Sequence, residues 1–120
     1  MRKPSQPLVF IDWEVEGVVV LTLIGRLVLG DATAAFRETI HALVDKGKLR
    51  VLLNMKEVHH IDSSGLGELV SAYTTLKHRG GRLKLMNLNP AGESLMQLTR
   101  LYTVFEVFHN EDEAIRSFTR

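Results

Sequence analysis

The stretch that decides the fold runs from Val51 to Lys77 and reads VLLNMKEVHHIDSSGLGELVSAYTTLK. It opens on an apolar run, Val51 to Leu53, that is typical of a buried β-strand. A segment rich in hydroxyl groups and glycine follows, from Ile61 to Gly67. Beyond it, apolar residues recur at spacings of three and four, which predicts an amphipathic helix that buries Leu66, Leu69, Val70, Tyr73 and Leu76. The stretch is therefore predicted to form a strand, a turn and a helix.

The turn carries residues that suit the start of a helix. Backbone N–H groups at a helix start lack partners, and Asp or Ser at the N-cap satisfies one of them, so Asp62-Ser63-Ser64 is first interpreted as a capping sequence. Capping does not explain Gly65 and Gly67, since each glycine inside a helix costs about 0.5–1 kcal/mol relative to alanine. Either the helix lies close against its sheet at these glycines, or another molecule approaches the backbone and the serine hydroxyls. The residues alone leave both explanations open.

A hydroxyl at a helix start is also a favourable position for a phosphate. The phosphate adds a charge of about −1.5 to −2, which meets unpaired N–H groups and the positive end of the helix dipole. Ser63 and Ser64 both satisfy this condition, and physical chemistry alone does not choose between adjacent hydroxyls. The turn is therefore a candidate phosphorylation switch.

The segment from Asp62 to Gly67, placed between an apolar strand and an amphipathic helix, closely resembles the signature loop of the STAS-domain anti-sigma factor antagonists of bacteria. In that family a partner kinase phosphorylates the second hydroxyl residue of the motif. The resemblance therefore implies Ser64 as the phosphate acceptor, with Ser63 as its rival. It also implies a partner-binding surface made of Asp62, Ser63, Ser64, Gly65, Leu66 and Gly67.

The resemblance extends beyond this loop. It continues through residues 80–90 and 101–108 and covers the chain from residue 8 to residue 118. One departure concerns the end of the second strand, where relatives often carry an acidic residue. After Gly25-Arg26-Leu27 this chain has Val28-Leu29-Gly30 instead, so the partner surface around the first helix is expected to differ.

The resemblance implies a function in transcription that depends on protein contacts. Unphosphorylated, the chain would bind an anti-sigma factor with serine-kinase activity and free a sigma factor; phosphorylated on Ser64, it would release that partner until a serine phosphatase resets it. On this hypothesis the chain is a substrate and a ligand, not an enzyme, and it needs no cofactor. A second hypothesis is an accessory STAS subunit of a membrane transporter or a scaffold of a signalling assembly. A small nucleotide-binding enzyme is the third.

Composition sets further limits. The 120 residues suffice for one domain, and a net charge of +1 without a basic run excludes the electrostatic pattern of a nucleic-acid binder. The absence of cysteine excludes disulfides and thiol chemistry and fits a cytoplasmic protein. Residues 1–7 are predicted to be a flexible leader, and residues 8–120 to be the STAS domain. The longest strongly apolar run, Val18 to Ile24, is too short to cross a bilayer, so direct membrane insertion is not expected.

The chain before the central stretch predicts a hairpin and a helix. Two segments rich in β-branched and aromatic residues, Leu8 to Val15 and Val18 to Leu23, flank Glu16-Gly17 and predict two antiparallel strands. Trp13, on the first of them, is predicted to be a packing residue. Asp31 is predicted to cap the first helix.

The chain after the central helix predicts a strand, a helix, a strand and a terminal helix. These lie at Leu83 to Leu88, at Ser94 to Leu101 after the start signal Asn89-Pro90, at Val104 to Phe108, and beyond the cap Asn110. The predicted fold class is α/β, with a mixed sheet of about five strands that opens with a β-hairpin and about four helices mainly on one face.

Three other kinds of site compete with the switch. Residues 65–70 are similar to a dinucleotide-binding fingerprint, but Val70 stands at its third glycine. His59, His60 and Asp62 could offer ligands to a metal, yet no fourth ligand is in view, and solvated histidines at a strand end are the preferred interpretation. A serine hydrolase would need a nucleophile elbow such as Gly-x-Ser-x-Gly and a base to activate the hydroxyl. Neither Ser63 nor Ser64 lies in such a motif.

Overall fold

A five-stranded sheet is the frame on which the other elements are placed. The structure is a computed structural model that describes residues 8–119, so the predicted leader at residues 1–7 lies outside the described part of the chain. Within residues 8–119 the elements are β1 Val9–Val15, β2 Val18–Leu27, α1 Asp31–Asp45, β3 Arg50–Ile61, α2 Ser63–His78, β4 Arg82–Met86, α3 Pro90–Thr99, a 3₁₀ turn Leu101–Thr103, β5 Val107–Phe108 and α4 Glu111–Ser117.

The sheet is mixed, and its strands lie in the order β1-β2-β3-β4-β5. β1 pairs antiparallel with β2, and each later pair is parallel. Parallel neighbours need a crossover connection, which α1, α2 and α3 provide. The predicted α/β class, with a mixed sheet that opens on a hairpin, is confirmed.

The hairpin turn uses the two residues that the sequence predicts. Glu16 and Gly17 have positive φ angles of 51° and 79°, and Val15 lies opposite Val18. Positive φ at both central residues is the geometry of a type I′ turn, whose twist matches that of the flanking strands. The turn therefore fixes the register of β1, which is one of the two edge strands of the sheet.

Helices cover the two faces of the sheet unequally. On one face α1, α2 and α3 bury apolar side chains that include Phe36, Leu69 and Met96. On the other face α4 packs Phe118 and its neighbours into a smaller cluster with Leu52. The prediction of helices mainly on one face is confirmed, and α4 is the exception.

A buried lysine holds α4 in place. Lys84 is 4% exposed, and its Nζ donates to Ser117 Oγ at 2.9 Å and to the Ser117 carbonyl oxygen at 3.1 Å. The same Nζ lies 3.4 Å from Glu106 Oε2 and 4.8 Å from the ring centre of Phe118. A buried ammonium group without such partners would be strongly unfavourable. These contacts fix α4 over β4 and β5, near the edge of the sheet opposite to β1.

Trp13, which is predicted to be a packing residue, is exposed rather than buried. Its side chain is 40% exposed, and Val9 and Ile11 of the same strand are exposed with it. The reason is the position of α4, which packs over β4 and β5 and leaves this part of the sheet face to solvent.

β2 and β3 run further than their apolar segments predict. β2 continues past Leu23 to Leu27, and β3 extends to Ile61. Register shifts within residues 22–26 allow the two strands to keep pairing. Such irregularities break the alternation of apolar residues, so the sequence pattern ends before the ladder does. The predicted loop between β3 and α2 is thereby reduced to one residue, Asp62.

The later elements also differ in their bounds. β4 ends at Met86, two residues early, because Asn87 takes a left-handed φ of 62°. α3 begins at Pro90, and the Asn89 side chain accepts a hydrogen bond from the Gly92 N–H at 2.9 Å, as the Asn-Pro start signal predicts. β5 keeps only two residues of the predicted strand.

Candidate functional site

Asp62 is the residue that joins β3 to α2, and it is the N-cap that the sequence predicts. Its backbone is extended, and its Oδ1 accepts a hydrogen bond from the Gly65 N–H at 2.8 Å. Its carbonyl oxygen accepts the first helical bond, from the Leu66 N–H at 2.9 Å. The start of α2 is thus fixed directly on the end of β3.

The same residue also holds the end of a neighbouring strand. Asp62 Oδ2 accepts a hydrogen bond from the Leu29 N–H at 2.9 Å, and the Asp62 N–H donates to the Leu27 carbonyl oxygen at 3.3 Å. Leu27 ends β2, and Leu29 lies in the loop that leads to α1. One residue therefore joins the ends of β2, β3 and α2. The sequence does not reveal this contact, because the donor is a backbone N–H group, which every residue except proline carries.

These bonds stabilise the ionised form of Asp62. The N–H groups of Leu29 and then of Gly65 lower the pKa of its carboxyl below the ordinary 3.8. A carboxyl whose pKa is lower in the folded state adds stability above its unfolded pKa, and this contribution disappears as the pH falls through the folded value. Asp62 therefore stabilises the domain at neutral pH and ceases to do so in acid, below pH 3.8.

Asp62→Ala is expected to lower the Tm by several degrees at neutral pH, because both α2 and the Leu29 loop lose their anchor. The Tm difference from wild type should shrink as the pH falls below 3.8, because the wild-type carboxyl then becomes protonated. Thermal melts followed by circular dichroism at each pH measure both effects. Asp31→Ala is the matched control, since Asp31 is exposed in the first turn of α1 but is not its N-cap. Equal losses in the two variants at every pH would contradict the anchoring by Asp62.

α1 begins differently from the prediction. Its N-cap is Gly30, and Asp31 is the first residue of the helix. Thr33 Oγ1 accepts a hydrogen bond from the Gly30 N–H at 3.2 Å and donates to the Gly30 carbonyl oxygen at 3.0 Å. The predicted cap is wrong because Gly30 has a φ of 119°, which glycine adopts readily and which turns the chain into the helix one residue earlier.

Ser63 and Ser64 are the first two residues of α2, and they differ in exposure. Ser63 is exposed and Ser64 is half-buried. In the next turn Leu66 is half-buried and Gly67 is exposed. The six residues of the predicted partner surface thus lie together at one end of the sheet, with Gly65 buried beneath the others.

Gly65 and Gly67 have different surroundings in the structure. A Cβ on Gly65 would overlap the Leu27 carbonyl oxygen and lie 2.9 Å from its carbonyl carbon. A Cβ on Gly67 would have no atom within 4 Å. Gly65 therefore lets α2 lie close on the end of β2, whereas Gly67 keeps an exposed turn of the helix free of side-chain atoms.

Comparison with known proteins identifies the family to which most of the chain is similar. The family model of the STAS domain matches residues 13–114. The chain is a member of the STAS domain family.

Relatives of this STAS domain include regulatory proteins of bacteria. The anti-sigma F factor antagonist of Paenibacillus polymyxa is 24% identical over 99 residues, which cover 82% of this chain and 85% of that protein. A candidate anti-sigma factor antagonist from Thermotoga maritima has a crystal structure that matches with a TM-score of 0.86 at 25% identity, over 92% of this chain and 95% of that one. The Bacillus cell fate determinant SpoIIAA in its phosphorylated form matches with a TM-score of 0.70 at 25% identity, over 91% and 98%.

In this STAS domain an ion pair lies one turn beyond the two serines. Arg37 of α1 donates from Nη2 to Glu68 Oε1 at 2.9 Å and from Nε to both carboxylate oxygens at 3.1 Å. The side chain of Glu68 is only 14% exposed, and its carboxylate raises the pKa of Arg37. Glu68 follows Ser64 by four residues, so the two lie on one face of α2. The negative charge of Glu68, one helical turn from Ser64, is therefore already paired with Arg37.

The STAS domain provides little for the other kinds of site. Both carboxylate oxygens of Asp62 accept hydrogen bonds from backbone N–H groups. Among residues 8–119, no group of three His, Cys, Asp or Glu side chains is placed to hold a metal ion. The Leu27 backbone fills the space beside Gly65, the first glycine of the dinucleotide fingerprint. None of the helices in the described part of the chain combines the length and the apolar composition that crossing a membrane requires.

Proposed function

We propose that this STAS domain is a bacterial anti-sigma factor antagonist whose binding is switched by phosphorylation of Ser64. The unphosphorylated form binds an anti-sigma factor with serine-kinase activity and thereby frees a sigma factor. The kinase transfers a phosphate from ATP to Ser64, the complex dissociates, and a serine phosphatase restores the first form. The domain acts as a ligand and a substrate rather than as an enzyme.

One observation carries this proposal: Asp62 holds two serines at the start of α2, in a chain that matches anti-sigma factor antagonists over most of its length. A hydroxyl on a rigid helix start is presented in one geometry, which suits recognition by a kinase. The positive end of the α2 dipole favours the added negative charge. Ser64 is preferred to Ser63 because of the family motif. Exposure alone would favour Ser63, which is the more exposed of the two.

The phosphate is expected to change association and to leave the fold intact. Its attraction to the helix dipole is about 0.3–1 kcal/mol, and Arg37 already offsets the charge of Glu68. At the interface, a doubly charged group must lose water against a surface that fits a neutral hydroxyl. Each loss of about 1.4 kcal/mol there lowers the affinity about tenfold, so a loss of several kcal/mol separates the two proteins.

Leu29 extends the proposed partner surface beyond the serine turn. Its side chain is 75% exposed, while its N–H is held by Asp62 next to the start of α2. An apolar side chain on a fixed backbone loses little conformational freedom when a partner covers it. Its burial would contribute about 1.5–3 kcal/mol to binding. The predicted surface contained only residues 62–67, because the bond that brings Leu29 close spans 33 residues.

Leu29→Ser is expected to weaken binding to the anti-sigma factor about tenfold to hundredfold, with little change in Tm, because the variant loses apolar area only at the interface. Isothermal titration calorimetry with the purified partner measures this. Leu98→Ser is the matched control, since Leu98 is 83% exposed but lies in the last turn of α3. Equal affinities of wild type and both variants would remove Leu29 from the surface.

Capture of the partner and a kinase reaction test the function as a whole. The unphosphorylated chain should recover a small ATP-binding protein from a lysate of its native cell. That protein, supplied with ATP, should phosphorylate the chain, and mass spectrometry should find the phosphate on Ser64. Recovery of transporter subunits instead would favour an accessory subunit, and saturable nucleotide binding by the isolated chain would favour an enzyme.

A further inference from the structure

An apolar stripe lies on β1, one of the two edge strands of the sheet. The side chains of Val9, Ile11 and Trp13 alternate along β1 and are 44%, 49% and 40% exposed. They lie on the face that carries α4, because Val15 of the same strand packs into the α4 cluster, while Phe10 packs into the main core. We call Val9, Ile11 and Trp13 the β1 stripe.

The backbone of β1 has hydrogen-bonding groups directed away from the sheet. Within residues 8–119, β2 is the only strand that pairs with β1. Val15 and Val18 flank a two-residue turn and therefore exchange both of their hydrogen bonds. Bonded positions alternate along the strand, so Phe10, Asp12 and Glu14 direct their N–H and C=O groups outward. A row of such groups beside an apolar stripe is a template for pairing with another strand.

We propose that a second copy of this chain occupies this edge, with β1 antiparallel to the partner's β1 about a two-fold axis beside Ile11. In this register Phe10 and the partner's Asp12 exchange hydrogen bonds through their outward-directed groups. Ile11 faces the partner's Ile11, and Val9 faces the partner's Trp13. These are non-hydrogen-bonded pairs, in which side chains approach most closely. The two β1 stripes become one continuous apolar surface across the axis.

Charge and strand length select this register over its neighbours. Asp12 faces the partner's Phe10, so no two carboxylates are opposed. A shift of two residues toward the turn would set Asp12 against the partner's Asp12, and like charges in direct opposition destabilise a strand pair. The opposite shift would leave Trp13 beyond the start of the partner's β1, which begins at Val9. A shift of one residue would bring outward-directed groups against groups already bonded within the partner's hairpin.

The proposed pairing leaves the serine site accessible. β2 lies between β1 and β3 in the sheet, and Ser64 follows the end of β3. Self-association and phosphorylation can therefore be measured independently of each other, and the failure of one does not imply the failure of the other.

The cysteine-free sequence allows a direct test on the full chain. Ile11→Cys would place two thiols across the axis with Cα atoms about 4.5 Å apart, inside the range of about 4.4–6.8 Å that a disulfide spans. Mild oxidation should convert this variant to a covalent dimer. Val9→Cys alone should remain uncross-linked, whereas a mixture of Val9→Cys and Trp13→Cys chains should form the mixed dimer. Leu98→Cys, exposed on α3, is the control for random collision.

Sedimentation equilibrium gives a second measurement. The wild-type chain should show a dimer fraction that rises with concentration, and Ile11→Lys should sediment as a folded monomer because two ammonium groups would meet at the axis. A wild-type chain that is monomeric at its highest soluble concentration would overturn the proposal. Cross-linking of Ile11→Cys no faster than that of Leu98→Cys would also overturn it, as would cross-linking through Asp12→Cys in its place.

Discussion

Ser64→Asp is expected to lower the affinity of the domain for its anti-sigma factor about 100-fold or more, because a carboxylate takes the place of a hydroxyl that the proposed interface leaves neutral. Ser64→Ala removes a single hydroxyl and should bind within about tenfold of wild type. Isothermal titration calorimetry at fixed ionic strength measures both affinities. The Tm of both variants should stay close to that of wild type, since α2 keeps its Asp62 cap.

The kinase reaction separates Ser64 from its rival. Ser64→Ala should take up no phosphate, while Ser63→Ala should be phosphorylated to the same extent as wild type. Phosphate found on Ser63 alone would move the switch by one residue. Equal affinities of wild type and Ser64→Asp would rule out the proposal that charge at this position controls binding.

Gly65→Ala should lower the free energy of unfolding by about 3 kcal/mol or more. The added Cβ would overlap the Leu27 carbonyl oxygen, which also accepts the Asp62 N–H. The obstructing atoms belong to the backbone of β2, so they cannot move aside without disturbing the pairing of β2 with β3. Urea denaturation followed by circular dichroism measures the loss.

Gly67→Ala is the matched control, because it adds the same methyl group two residues further along α2, where no atom lies within 4 Å. It should raise the free energy of unfolding by about 0.5–1 kcal/mol, the helix propensity that glycine forgoes. A stable Gly65→Ala variant would contradict the close packing of α2 on β2. A Gly67→Ala variant that is more stable but binds its partner less tightly would support a place for Gly67 in the binding surface.

Local signals in the sequence predicted much of the fold. Asp62, Asn89 and Asn110 each accept the backbone N–H three residues ahead, as their capping patterns predict. Glu16-Gly17 forms the predicted turn, and both residues adopt the positive φ angles that this turn geometry requires. These features depend on residues within one turn of each other, which is why the sequence alone is sufficient for them.

The features that the sequence did not predict depend on distant segments. Leu29 reaches the site through a bond between its backbone and Asp62, 33 residues away. The closeness of Gly65 to Leu27 depends on β2 continuing through its register shifts, where the apolar alternation fails. The exposure of Trp13 depends on where α4 docks, and Lys84 decides that through contacts with Ser117.

The double attachment of Asp62 also bears on how copies of such a gene can diverge. Leu29 contributes its backbone N–H to the bond and leaves its side chain outside, so substitutions at position 29 do not displace Ser64. A bacterium with several paralogues could therefore insulate their pathways from crosstalk by varying that one side chain. The serine turn would be inherited unchanged, and selection would act on partner choice alone.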